Sequence, residues 1–313
     1  MQILRSIEEL AAIKKPLVLA AGVFDGVHPG HQAVLQTAQE AARRIHGVAV
    51  VLTFDPHPAT ILRPANVPKL LTSTDYKLRL IEALGIKSAL VVRFDADFAA
   101  MKAEDFIHKL CESAHHLAGI CIGEGWVFGH ERKGDSRLLR IMGMKNGFFT
   151  SEVTPVKIDD TLVSSTLIRQ AISEGNLPRA AELLGRDHSV SGTVLEGKKL
   201  GRDLGFPTAN LETHNEQFPP DGVYAVRATV NDDHYNGVAN IGIRPTVSGE
   251  GSRILEVHLF DFTGDLYGKT MDVAFLQFLR PEQKFENLDA LRAQIQHDAA
   301  EARDWIDQHR KMS

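Results

Sequence analysis

Over residues 17–156, short and almost wholly apolar runs alternate with longer segments whose apolar residues recur every three or four positions. "LVLAAGVF" (17–24), "GVAVVLTF" (47–54), "SALVVRF" (88–94), "AGICIGE" (118–124) and "GFFTSEVTPV" (147–156) read as strands. "HQAVLQTAQEAARRI" (31–45), "STDYKLRLIEALG" (73–85) and "AEDFIHKLCESAHHL" (103–117) carry helical spacing. Strands that are apolar throughout, rather than alternating, are buried on both faces. The pattern therefore predicts an α/β domain with a parallel sheet covered on each side. Ligands of such sheets lie beyond the carboxyl ends of the strands.

After "SSTLIRQAISEGNLPRAAELLGRD" the periodicity changes. From Ser189 to about Leu279, β-branched and aromatic residues are punctuated by Gly, Asn, Asp and Pro. "GVYAVRATV" and "RILEVHLFDF" have the mixed alternation of barrel or sandwich strands. A last helix is predicted from about Asn287, with Leu288, Leu291, Ile295, Ala302 and Ile306 at helical spacing. The break near 185–188 predicts two domains, 1–186 and 187–313, as the length of 313 residues also suggests.

Composition narrows the class. A formal charge of −5 argues against a general nucleic-acid binder, which needs a basic face, but leaves room for small phosphorylated ligands in a local positive pocket. Two cysteines, Cys111 and Cys121, make no disulfide framework, and no zinc spacing accompanies them. The start "MQILRSIEELAAIKKP" lacks the apolar core of a signal peptide, and no apolar run approaches the ~20 residues of a membrane span. The expected compartment is the cytoplasm, with no membrane partner.

Candidate chemistry begins with "GVFDGVHPGH" (22–31), where the first strand is expected to end near Phe24 and a helix to start near Pro29. A helix N-terminus attracts anions, and His28 and His31 add ring N–H donors to that pole. The plainer alternative is an ordinary Pro/Gly turn with exposed histidines. Zinc is disfavoured, because two ligands without a third make no site. In "VSSTLIR" (163–169), Ser164, Ser165 or Thr166 can simply cap a helix, yet Arg169 about one turn inside also suits a polyphosphate. "GKKLGRDLGFPTAN" (197–210) offers glycine-rich backbone for phosphates, and Thr208 and Asn210 as hard oxygen ligands for Mg²⁺; PTAN alone also reads as a turn.

Taken together these strings resemble the bacterial bifunctional riboflavin kinase/FMN adenylyltransferases. The first resembles the HxGH signature of nucleotidyltransferases, which implies that His28 and His31 contact ATP phosphates, with Gly22, Phe24, Asp25 and Gly26 in the same site. Ser164, Ser165, Thr166 and Arg169 match that family's ATP-site pattern. "TFDPHPA" (53–59) resembles its strand-end segment, which implies flavin contacts by Phe54, Pro56, His57 and Pro58; the alternative is a Pro-rich loop. "IGEGWVFGHERKGD" (122–135) keeps Gly123, Phe128, Gly129, Gly134 and Asp135 of a family pattern. Gly125 and Trp126 stand where Asp or Asn, then Phe, are expected.

The 197–210 string resembles the riboflavin kinase motif. It implies ATP contacts by Gly197, Gly201, Arg202, Gly205, Thr208 and Asn210, the last two shared with Mg²⁺. Glu256 in "LEVH" matches the family's catalytic base; a lone Glu facing outward from a strand is the alternative. Arg280 is a candidate for the flavin side or a surface role. The implied architecture is a Rossmann-like nucleotidyltransferase domain followed by a β-barrel riboflavin kinase domain with a C-terminal helix. The implied function is ATP-dependent phosphorylation of riboflavin to FMN, then adenylyl transfer from ATP to FMN, giving FAD. The alternative is a riboflavin kinase or flavin-binding regulator whose adenylyltransferase half is weakened or inactive, as Gly125 suggests.

Overall fold

A computed structural model describes residues 1–196, 205–213, 216–244 and 252–309. They form two compact units, one of Met1–Pro68 with Thr74–Ser165, the other of Lys69–Ser73 with Thr166–Ser313.

The first unit is built on strands β1 (Gln2–Leu4), β2 (Leu17–Ala21), β3 (Val48–Asp55), β4 (Ser88–Arg93), β5 (Leu117–Gly123) and β6 (Phe149–Val153). All pairings are parallel, in the order β1-β4-β3-β2-β5-β6. The five expected strands are β2–β6. β1 is an edge strand of three residues, too short to show a period in the sequence. Helices α1 (Pro29–Arg44), α2 (Ala59–Leu62), α3 (Thr74–Ala83), α4 (Ala96–Ala100), α5 (Ala103–Ser113) and α6 (Ser136–Asn146) connect the strands, and a two-residue hairpin, β7 (Lys157–Ile158) with β8 (Thr161–Leu162), follows. α6 lies outside the helices that the spacing predicts; its buried side is narrow, made of Leu139, Met142 and Gly143.

Both faces of the central strands are covered, which is why β2–β5 are largely apolar, whereas the edge strands β1 and β6 (FTSEV) are partly exposed. Leu17, Leu19, Leu52 and Ile122 pack with Phe106, Ile107 and Leu110 of α5 and Leu139 of α6. Val18, Ala20, Val51 and Cys121 pack with Val34, Leu35 and Ala38 of α1 and Leu78 and Ile81 of α3.

The second unit carries α7 (Ser165–Ser173, whose first residue belongs to the first unit) and α8 (Leu177–Leu184). A barrel follows, of β9 (Ser189–Leu195), β10 (Ala209–Thr213), β11 (Gly222–Val230), β12 (Asp233–Arg244), β13 (Ser252–Leu259) and β14 (Thr270–Arg280), and then α9 (Leu288–His309). The strands are antiparallel and closed in the order β10-β13-β12-β11-β14-β9, with β9 also pairing β10. The barrel-or-sandwich pattern thus resolves as a barrel, and closure leaves no open sheet edge. Val194, Leu211, Tyr224, Val226, Ile241, Leu255, Val257 and Phe275 fill it. Asn287 starts α9 as expected, its Oδ1 accepting from the Ala290 N–H at 2.8 Å. Ala302 and Ile306 bury against Ala225, Val238 and Phe260. Among the described residues no helix is long and apolar enough to cross a membrane.

Candidate active sites

In the first unit, β2 lies between β3 and β5, so the connections from the sheet's centre diverge at its carboxyl end. That is the crevice where doubly wound sheets bind ligands, and the 22–31 loop emerges there. β2 stops at Ala21, three residues short of the expected end, because the chain turns into left-handed conformations at Phe24 (φ 54), Gly26 (φ 87) and Val27 (φ 42). For the bulky Phe and the β-branched Val such backbone is strained, of order 1–3 kcal/mol each.

α1 then begins at Pro29 with His28 as its N-cap residue. The His28 and His31 rings stack, with centroids 3.6 Å apart and planes at 21°. Gly30 makes room for this: a Cβ there would come within 3.2 Å of His28 Cε1 and Nδ1. Phe24 meets His31 edge-on at 5.4 Å. His28 and Asp25 are buried, at 5% and 4% exposure. The two histidines therefore form one fixed pair at a helix N-terminus, the geometry that suits stabilising a phosphate anion.

The same unit ties the "SST" string to this loop, since the Ser165 hydroxyl donates to the Asp25 carbonyl at 2.9 Å. α7 starts at Ser165, directly after Ser164. Thr166 and Arg169 belong to the other unit, where Arg169 Nε donates to the Lys69 carbonyl at 2.6 Å. In "TFDPHPA", Pro56 follows β3 and His57 Nδ1 accepts from the Ala59 N–H at 3.1 Å, at the start of α2. The Phe54 ring is buried in the core against Phe94 (5.6 Å) and Phe98 (5.9 Å). At the end of β5, Trp126 stacks on Phe128 at 4.8 Å. Asp135 caps α6, its Oδ1 accepting from Leu138 N–H at 2.8 Å.

One residue of this neighbourhood escapes motif reading. Lys77 of α3 is only 5% exposed, and its Nζ donates to the Val23 carbonyl (3.2 Å) and to Thr53 Oγ1 (3.1 Å). Burial pushes its ammonium down to about 8, opposed by the Asp25 and Asp55 carboxylates. The signal was present: Lys77 shares the apolar stripe of its helix with Ile81 and Leu84.

In the second unit, Gly197, Gly201 and Arg202 lie outside the described residues. Gly205 (φ 86) and an exposed Thr208 lead into β10. Asn210 pairs in register with Glu256 of β13, and Glu256 with Asn240 of β12. Because Ala209, Leu211, Leu255, Val257, Ala239 and Ile241 fill the barrel, alternation turns Asn210, Glu256 and Asn240 to its outer face. Glu256 is thus outward-facing, but in a polar row rather than alone. His258, on the same face, binds the FPTAN segment: its Nδ1–H donates to the Pro207 carbonyl at 2.9 Å, and Phe206 meets its ring at 5.4 Å. Asn240 Nδ2 donates to Glu282 Oε1 at 3.0 Å, a partner not foreseen in the sequence. Arg280 is bidentate to the buried Asp298 of α9, with Nε–Oδ1 2.9 Å and Nη2–Oδ2 2.7 Å.

Comparison with known proteins accords with this division. The FAD synthetase family profile matches residues 10–167, and the riboflavin kinase family profile matches 184–306. A bifunctional riboflavin kinase/FMN adenylyltransferase of Escherichia coli K12 is 40% identical over 308 residues, 98% of each chain. That of Pseudomonas fluorescens is 36% identical over 303 residues, 97% of each. That of Haemophilus influenzae is 35% identical over 304 residues, 97% of this chain and 98% of its own. A crystal structure described as a macrolide-efflux protein from Streptococcus pneumoniae matches with a TM-score of 0.82 and 30% identity, over 97% of this chain and 100% of that one. Its description concerns that protein, and the likeness here is one of fold. With relatives this similar along nearly its whole length, the chain belongs to the bifunctional riboflavin kinase/FMN adenylyltransferase family.

Proposed function

We propose that the chain converts riboflavin to FAD in two ATP-dependent steps, with the boundary between its two activities at 186/187. The observation that carries this reading is that each unit brings a pair of motif residues together at a position open to a ligand: the stacked His28–His31 pair beyond β2, and the Asn210–Glu256 pair on the barrel. In the kinase step, Glu256 orients the riboflavin 5′-hydroxyl and accepts its proton as the oxygen attacks the γ-phosphorus of ATP, releasing ADP. In the transferase step, a phosphate oxygen of FMN attacks the α-phosphorus of a second ATP, and pyrophosphate leaves. The His28 and His31 rings hold the charge that builds on the phosphate oxygens. Neither displacement needs a covalent enzyme intermediate; positioning supplies the catalysis.

Thr208 and Asn210 would hold Mg²⁺ jointly with ATP. They fit that ion, being hard oxygen donors, Asn210 opposite Glu256, too few for an all-protein cage and suited to a cation shared with phosphates. Bound there, Mg²⁺ would neutralise phosphate charge. Gly205 approaches ATP through its backbone, and Ser164 serves the second ATP. Pro56, His57 and Pro58 form the flavin side of the first site, with Phe54 anchoring them to the core. Arg280 acts through α9, which it holds by Asp298. The free thiols of Cys111 and Cys121 suit the cytoplasm.

A time course from riboflavin, ATP and Mg²⁺, resolved by chromatography, tests the reading: FMN should rise and then pass to FAD. The second reading, a kinase with an inactive first unit, is favoured by the missing side chain at Gly125. It requires FMN that never becomes FAD.

A further inference from the structure

A buried lysine costs folding free energy that an apolar residue of the same length would not, so Lys77 is not explained by stability. Its contacts suggest what it does. Lys77 Nζ donates to the Val23 carbonyl at 3.2 Å and to Thr53 Oγ1 at 3.1 Å, while Thr53 Oγ1 gives its own proton to the same carbonyl at 3.0 Å. The three groups close a triangle among α3, β3 and the end of the β2 ladder. Thr53 is fully buried and Lys77 nearly so, and these donors point at protein acceptors. Val23 is the last residue before the left-handed run of Phe24, Gly26 and Val27 that leads to His28. The Asp25 and Asp55 carboxylates favour the ammonium there.

We propose that Lys77 is a positioning residue for adenylyl transfer: with Thr53 it clamps the Val23 carbonyl and so holds the strained 24–27 turn that aims His28 and His31. A turn of this kind relaxes when its anchor is lost, and displacement of the paired rings by a fraction of an ångström weakens a contact made chiefly to the transition state. This inference rests on reading the first unit as an FMN adenylyltransferase.

The test is Lys77→Met in the full chain, with riboflavin phosphorylation by the second unit as an internal control. The expected result is a fall of about 10–100-fold in kcat for FMN adenylylation, with KM for ATP and FMN changed by less than about threefold. Riboflavin phosphorylation should proceed at the wild-type rate. A kcat within about twofold of wild type, or a loss carried by KM alone, would overturn the inference. Should Lys77→Met fail to fold, the isosteric Thr53→Val removes one arm of the clamp and should itself lower kcat several-fold; wild-type kcat in that variant would equally overturn it. A wild-type chain that makes no FAD from FMN would overturn the adenylyltransferase reading and this inference with it. A Lys77→Met chain as active as a FAD-making wild type would overturn the inference alone.

Discussion

Asn210 and Glu256 stand directly opposite each other on adjacent strands of the barrel. They are 46 positions apart in the chain, and antiparallel pairing turns both side chains to one face. A carboxylate thus lies beside a carboxamide; in the proposed phosphoryl transfer these are the base and a ligand of the cation.

Glu256→Gln should keep the shape of this row and remove the base. Riboflavin phosphorylation is expected to fall by about 10²–10⁴-fold, while FAD formation from supplied FMN continues at the wild-type rate. Chromatography of both reactions checks it, and loss of both in a folded variant would refute separate sites.

His28→Ala combined with His31→Ala should do the reverse. Losing the paired rings beyond β2 should lower FAD formation by about 10²-fold or more and leave FMN production intact. FAD accumulating at the wild-type rate would remove the stacked pair from the mechanism.

Gly125 has φ 75 with nothing within 4 Å of a Cβ placed on it. Asn tolerates that conformation better than other side-chain-bearing residues. Gly125→Asn is therefore expected to change stability by less than about 1 kcal/mol and to lower the KM for ATP in adenylylation. Gly125→Val should destabilise by about 1–3 kcal/mol. Thermal melts and initial rates decide the matter; an unchanged KM would show that the missing polar group is not limiting.

Asp298 receives the bidentate Arg280 guanidinium inside the α9–barrel packing. Asp298→Ala leaves that largely enclosed cation without its partner and should destabilise the second unit by about 3 kcal/mol. The chain's two tryptophans fall one in each unit, Trp126 and Trp305. Denaturant unfolding followed by Trp305 fluorescence in a Trp126→Phe background therefore reports the barrel.

Lys77 sits at about 8 in the folded chain against its ordinary 10.5. Between these values the unfolded lysine keeps a proton that the folded one has lost. The unfolded state then binds more protons, and stability rises with pH through that window. Below pH 8 the full cost of burying the charge is borne. Wild type should accordingly gain about 3 kcal/mol relative to Lys77→Met between pH 8 and 10.5. Parallel unfolding curves for the two chains measure this difference; a constant gap would mean that the ammonium is not buried as described.

The apolar runs identify β2–β5, since a strand covered on both faces has no polar position to disguise it; β6, with Thr150, Ser151 and Glu152, is only partly buried and carries a weaker signal. The motifs named most of the residues gathered in each unit, because glycines, prolines and paired histidines carry their geometry in their spacing. Other features were not legible. A three-residue edge strand such as β1 has no period to detect. Phe54, read as a flavin contact, turns its ring into the core.

The sequence by itself determined two units of different class, their order, and a phosphate-handling chemistry for each. Those properties rest on local periodicity and on motifs whose members are near neighbours in the chain. Only the tertiary structure decided that Asn210, Glu256 and Asn240 form one row, that Arg280 is held by Asp298, and that Lys77 reaches the Val23 carbonyl. Each of these joins residues from different elements. Strand register and helix packing set such distances, and burial then determines whether a charge placed there is tolerated without a partner.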